Sequence, residues 1–104
     1  MDNPKVQYVN ASGASYIDFE NGKLCIVTLK GNVTLSLNAG DPDIYVLQLK
    51  QDSTGSRTIT WPFNVVWPGG TAPTLTTTAN YSDVVTLIWN GSKFIANSTL
   101  NFNA

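Results

Sequence analysis

The sequence predicts an all-β single domain, an antiparallel β-sandwich of jelly-roll type. Three observations predict it. β-Branched and aromatic residues gather in runs of about five to eight, bounded by Gly, Asn, Asp and Pro. Turn signals recur roughly every 8–12 residues, the spacing of short strands in a sandwich. No long segment repeats its apolar residues at helical spacing. A chain of 104 residues holds one domain and one core.

In chain order, strands are expected over 5–9, 15–19, 23–30, 32–38, 44–50, 57–61, 63–67, 74–77, 82–90 and 93–99. Residues 1–14 read as an N-terminal arm or extension, and 15–104 as the sandwich domain. The arm ends in Asn10-Ala11-Ser12-Gly13-Ala14, which suits either a segment that docks on a neighbour or a frayed terminus. Asn21-Gly22 tolerates the positive φ of a type I′ turn, so a hairpin is expected there. Residues 24–29 are apolar on both parities, which predicts a central strand covered on both faces, with another subunit a candidate for one cover. Lys30-Gly31-Asn32 reads as a tight turn between two strands.

Parity then selects the core. Val33, Leu35 and Leu37 face inward, with Thr34 and Ser36 outward. Tyr45, Leu47 and Leu49 point one way, with Gln48 and Lys50 opposite. Ile59, Trp61, Phe63, Val65 and Trp67 share one parity, although Pro62 removes a ladder donor and places this strand at an interruption or an edge. Thr74-Leu75-Thr76-Thr77-Thr78 is biased enough to be an exposed edge. Val85, Leu87 and Trp89 form a last row, and a second hairpin at Asn90-Gly91 brings Phe94 and Ala96 against it. Trp61, Trp67 and Trp89 therefore make up a core motif, while Tyr8, Tyr16 and Tyr81 lie in polar contexts and are the surface aromatics.

Composition narrows the function. Charged residues make up only 12% of the chain, so the polar surface is built from Asn, Thr, Ser and Gln. Neutral amides and hydroxyls cost less to desolvate than ions, which suits a protein largely covered by neighbours, and extracellular β-domains share the trait. The net charge is −1 and the six basic residues are scattered, so no nucleic-acid-binding patch forms. No stretch approaches the length of a membrane helix and the start has no apolar signal core, so a soluble product of a cytoplasm is expected. Five Asn-x-Ser/Thr triplets are what an Asn-, Ser- and Thr-rich chain yields by chance.

Chemistry is thinly represented. The chain has no His, the usual proton carrier near neutrality, and no catalytic residue is assigned. Asp18, Glu20, Asp41, Asp43 and Asp52 sit in turn signals, where carboxylates usually bond their own backbone. One Cys and no His exclude an intramolecular disulfide and a zinc cage, and Cys25 in an apolar run reads as a small buried hydrophobe. Asp41-Pro42-Asp43 lacks the Gly and terminal Glu of a calcium loop, so no metal or cofactor is expected. Exposed Trp and Tyr would otherwise supply a platform for sugars.

From about residue 24 to 102 the chain resembles a β-rich module of bacteriophage virion proteins, of the tail-fibre and appendage type and the capsid-decoration type. The likeness is carried by Leu29-x-Gly31-Asn32-Val33-Thr34-Leu35, by Leu47-x-Leu49-x-Gln51-Asp52-x-Thr54-Gly55-Ser56-Arg57-Thr58-Ile59-Thr60-Trp61-Pro62, by Val65-x-Trp67-Pro68-Gly69-Gly70-Thr71-Ala72-Pro73-Thr74-Leu75, and by Trp89-Asn90-Gly91-Ser92-Lys93-Phe94. It implies a non-enzymatic structural protein on the particle surface, a capsid decoration or short head or tail fibre subunit. Its partners would be other virion proteins, major capsid or tail proteins, within a symmetric oligomer, most often a homotrimer. Open β-edges give a physical reason for such an assembly. The contact residues expected on the arm are Val6, Tyr8 and Val9. The alternative is a tail-fibre-type module that binds a host-surface glycan.

Overall fold

Strand direction is where the chain departs from the antiparallel expectation. The computed structural model describes residues 6–104. Seven strands are formed: β1 (Val6–Asp18), β2 (Leu24–Asn38), β3 (Asp43–Gln51), β4 (Ile59–Thr60), β5 (Val65–Val66), β6 (Ser82–Trp89) and β7 (Phe94–Phe102). They join one curled sheet in the order β1-β2-β3-β6-β7-β5, with β4 on β2. β1, β2 and β3 run parallel to one another, β4 is parallel to β2, and only β3–β6–β7 is antiparallel. The two-sheet sandwich or jelly roll gives way to a single sheet wrapped around its own core.

A parallel pair normally needs a crossover of a dozen or more residues. Here β1 and β2 are joined by residues 19–23 alone, yet Val6 lies beside Leu24. A straight strand of 13 residues would be roughly 40 Å long. The chain from Asp18 to Leu24 can reach back only about 20 Å. β1 must therefore bend, and it does so at a register shift between Ala11 and Gly13, with Gly13 at φ 69°. The strand itself supplies part of the return path.

β2 bends at the same level. Gly31 faces Ser12, and a side chain on Gly31 would collide with the Ser12 hydroxyl. The Asn32 side-chain oxygen accepts from the Thr58 N–H at 3.0 Å, which lays the third turn of chain on the second. Lys30-Gly31-Asn32 is thus a corner inside one strand, not a turn between two. Asn21-Gly22 likewise closes no hairpin: Phe19–Asn21 is a short 3-10 turn that sends the chain back to start a parallel neighbour. Residues 6–14, expected as an arm, form the first part of β1. Residues 1–5 of that arm lie outside the described residues.

Alternation holds within each arm. Cys25, Val27, Leu29, Val33, Leu35, Tyr45, Leu47, Leu49, Val85, Leu87, Phe94 and Ala96 are all buried, joined by Ala11, Ile17 and Phe19 from the first turn. Phe19 stacks on Tyr45 with ring centroids 4.8 Å apart. The Asn90-Gly91 hairpin joins β6 to β7, with the Asn90 carboxamide oxygen accepting from the Ser92 and Lys93 N–H groups. Pro62 interrupts the 57–67 segment, leaving β4 and β5 as two short strands, and residues 74–77 form none.

Two buried polar side chains hold the irregular stretch between β3 and β6. The Gln51 amide donates to the Arg57 and Thr76 carbonyls and accepts from the Arg57 N–H, each at 2.9 Å. Asp83 accepts from the Thr76 N–H at 2.7 Å and the Asn101 N–H at 2.9 Å. The half-buried Asp52 carboxylate accepts from the Arg57 guanidinium and from the Thr54 and Gly55 N–H groups. The Arg57 hydrogen bond holds the Asp52 carboxyl below its usual range. The Lys23 hydrogen bond does the same for Asp43. These contributions are present above the ordinary carboxylate pKa and are lost as pH falls through the depressed values.

Gly55 combines φ 74° with a backbone that would lie against an added Cβ, the Thr77 carbonyl being nearest. Gly55→Ala should therefore lose about 2–4 kcal/mol in denaturant unfolding. Gly69→Ala, at φ 67° but facing open space, should lose only about 1–2 kcal/mol. Burial pushes the Cys25 thiol from 9.0 to about 11. A folded pKa above the unfolded one gives stability that is complete below pH 9 and lost as pH rises toward about 11. Urea unfolding at pH 8 and at about pH 10.5 should show that loss, and Cys25→Ala should reduce it.

Candidate interaction surface

The parallel register carries the outward side chains into rows across the sheet. Val6 lies beside Leu24, and Leu24 beside Val46. Tyr8 lies beside Ile26. A second row crosses the antiparallel part: Ile44 pairs with Ile88, Ile88 with Ile95, and Ile95 with Val66 of β5. Positions of this kind usually carry Thr, Lys or Glu on a solvated face. Here Ile44 is 55% exposed, Ile88 and Ile95 are each 45%, and Val66 is 39%. Leu24, Ile26, Val46 and Val84 are half-buried on the same side. Among the described residues, charge enters the outward positions of β2 and β3 at Lys30, beside the corner in the middle of β2, and at Lys50, near the end of β3.

Expected contact residues divide by parity. Val6 and Tyr8 point outward, Tyr8 at 77% exposure. Val9 turns the other way and packs against the core. Among the described residues, β1 is paired on one side only, by β2, and its other edge has no strand partner along its 13 residues. It carries no Lys and no Pro, the residues that usually protect such an edge.

The three Trp side chains are half-buried and pack against the rim of the core. Trp61 and Trp67 meet edge to face at 5.0 Å, and Trp89 lies 4.5 Å from Phe94. Trp89 Nε1 donates to the Gly40 carbonyl at 3.2 Å. Phe63 breaks the expected inward row. Pro62 ends the pairing before it, and the turn at 62–65 turns Phe63 out to 91% exposure, with the Lys93 ammonium 5.6 Å from its ring. No period-two argument could find it, because the period stops at Pro62.

Groups capable of acid–base chemistry are dispersed. Asp18 and Glu20 both accept from the Asn38 amide, at a surface corner rather than in a cleft. Asp43 pairs with Lys23 and Asp52 with Arg57. Among the described residues no three His, Cys, Asp or Glu side chains gather to hold a metal. A shallow depression near β4 is lined by Thr58, Ile59, Pro73, Thr74, Leu75 and Thr77, none of them ionisable near neutral pH. What the surface can do is bury area, along the aliphatic rows, along the β1 edge and at Phe63.

The family model described as "Putative phage tail fibre C-terminal domain" matches residues 7–94, most of the chain. No curated protein and no solved structure matches it.

Phe63→Ala should leave stability within about 0.5 kcal/mol of the parent, since the ring covers little. Trp89→Ala, which strips the cover from Phe94, should cost about 2–4 kcal/mol. Urea unfolding of both variants checks the contrast.

Proposed function

The chain belongs to the phage tail fibre C-terminal domain family, and from that membership we propose a non-enzymatic structural role in a bacteriophage virion. It is made in the host cytoplasm and assembled onto the outside of the particle, within a symmetric assembly. Its mechanism is burial of surface against other virion proteins, with Val6, Tyr8 and the outward aliphatic rows in the contact. The family match is the observation that carries this reading. It favours a tail appendage over a capsid decoration, and the dispersed ionisable groups favour adhesion over catalysis.

Gold-labelled antibody on intact particles, with copy number from mass spectrometry, tests the placement. Label at tail fibres and a few to a few dozen copies is expected. Label spread over the capsid in hundreds of copies would reassign the chain to decoration.

A second reading rests on Phe63. An aromatic ring left 91% exposed beside a lysine is a ready stacking surface for a sugar. If the module binds a host-surface glycan, calorimetric titration with host polysaccharide should give binding that Phe63→Ala abolishes. No heat from the parent protein removes this reading and leaves the structural one.

A further inference from the structure

We propose that Asn21 is a site of spontaneous covalent change, in which its carboxamide closes on the Gly22 nitrogen and is hydrolysed to a carboxylate. Asn90, in the same Asn-Gly setting, is protected by the fold.

Two Asn-Gly pairs stand in the chain, Asn21-Gly22 and Asn90-Gly91. Every other Asn among the described residues precedes a residue that carries a Cβ. Glycine matters because, with no side chain in the way, the following main-chain nitrogen can swing onto the Asn Cγ. Asn21 and Asn90 are both exposed, so water and hydroxide reach each of them. On sequence and exposure the two pairs are alike. Their hydrogen bonds are not.

At Asn90 the carboxamide is held. Its oxygen accepts from the Ser92 and Lys93 N–H groups, each at 2.9 Å. The Asn90 N–H also donates to the Lys93 carbonyl at 3.2 Å. Turning Cγ toward the Gly91 nitrogen breaks both carboxamide bonds within the β6–β7 hairpin. Around Asn21 the polar contacts belong to its neighbours. The Asn38 amide donates to Asp18 and Glu20, Gln7 donates to the Asp18 and Gly22 carbonyls, and Asp18 accepts from the Glu20 N–H. None of these uses the Asn21 carboxamide. The Gly22 nitrogen is restrained by the bond from its N–H to the Phe19 carbonyl, at 3.2 Å. That bond closes a 3-10 turn of three residues, where hydrogen-bond geometry is poorer than in an α-helix. Short exposed turns open locally at little cost.

The chemistry balances with water as the only co-reactant. Hydroxide takes the Gly22 amide proton and the nitrogen bonds to Asn21 Cγ. The Cγ–Nδ2 bond breaks, and ammonia leaves with a proton from water. Water then opens the cyclic imide. Opening at Cγ leaves Asp in an ordinary peptide, whereas opening at the main-chain carbonyl leaves a linkage that runs through Cβ and Cγ. No group is oxidised or reduced. Either product sets a new carboxylate beside Asp18 and Glu20, which already share the Asn38 amide. The second product also inserts a main-chain atom into residues 19–23, the short return between β1 and β2. The change therefore falls on the connection that keeps Val6 beside Leu24.

The test is peptide mapping by mass spectrometry of the full chain aged at mildly alkaline pH, both folded and in concentrated urea. In the folded chain Asn21 should convert at least about 5-fold faster than Asn90, because each hydrogen bond to be broken slows attack by a factor of about 2–12. In urea the two pairs should convert at similar rates, since the contrast belongs to the fold. The modified chain, separated by its added negative charge, should unfold at lower urea than fresh protein. Asn90 converting as fast as Asn21 in the folded chain would overturn the proposal. So would a folded chain that keeps both Asn residues while the unfolded chain loses them, or a rate ratio that persists unchanged in urea. A modified fraction as stable as fresh protein would overturn the claimed effect on the return.

Discussion

The architecture depends on one constraint: parallel neighbours joined by connections too short to cross over. Five residues link β1 to β2 and four link β2 to β3, so neither of the first two strands can run straight. Each must fold around the core and deliver its end near the start of the next. The corner at Gly13, the space at Gly31 that admits Ser12, and the Asn32 bond to Thr58 serve that requirement at successive levels. Once the strands bend together, their inner side chains converge and the core closes with only one sheet.

Function follows from the same geometry. Stacking bent strands in register puts every second side chain into an outward row, and in this chain the row Ile44–Ile88–Ile95–Val66 is aliphatic throughout while others mix aliphatic residues with Thr, Gln and Asn. A solvated antiparallel sheet would have placed polar residues there. The antiparallel pair β6–β7 covers one end of the stack, whereas among the described residues β1 has no neighbour at the other end. A molecule with an apolar flank, a bare edge and dispersed ionisable groups is suited to joining an assembly. Its membership of a tail fibre family is consistent with that suitability.

Much of this was legible in the residues, and the rest failed for identifiable reasons. Alternation at 33–37, 45–49 and 85–89 gave the inward side chains, because period two follows from the pleat alone. Double-sided apolarity at 24–29 correctly marked a central strand, with Leu24 and Ile26 on the outward side. Pro62 and Asn90-Gly91 acted locally and were readable locally. Strand direction was not readable, since alternation is the same for parallel and antiparallel neighbours. Asn21-Gly22 and Lys30-Gly31-Asn32 have the composition of hairpin turns, yet long-range register made one a return and the other a corner. The resemblance to virion modules identified the family but carried no information about which face is left bare.

Interstrand nuclear Overhauser effects in the isotopically labelled chain test the central claim most directly. Parallel stacking predicts backbone contacts between Tyr8 and Ile26 and between Ile17 and Leu37. An antiparallel hairpin closed at Asn21-Gly22 would instead bring Ile17 beside Ile26, and that contact in place of the other two would contradict the account.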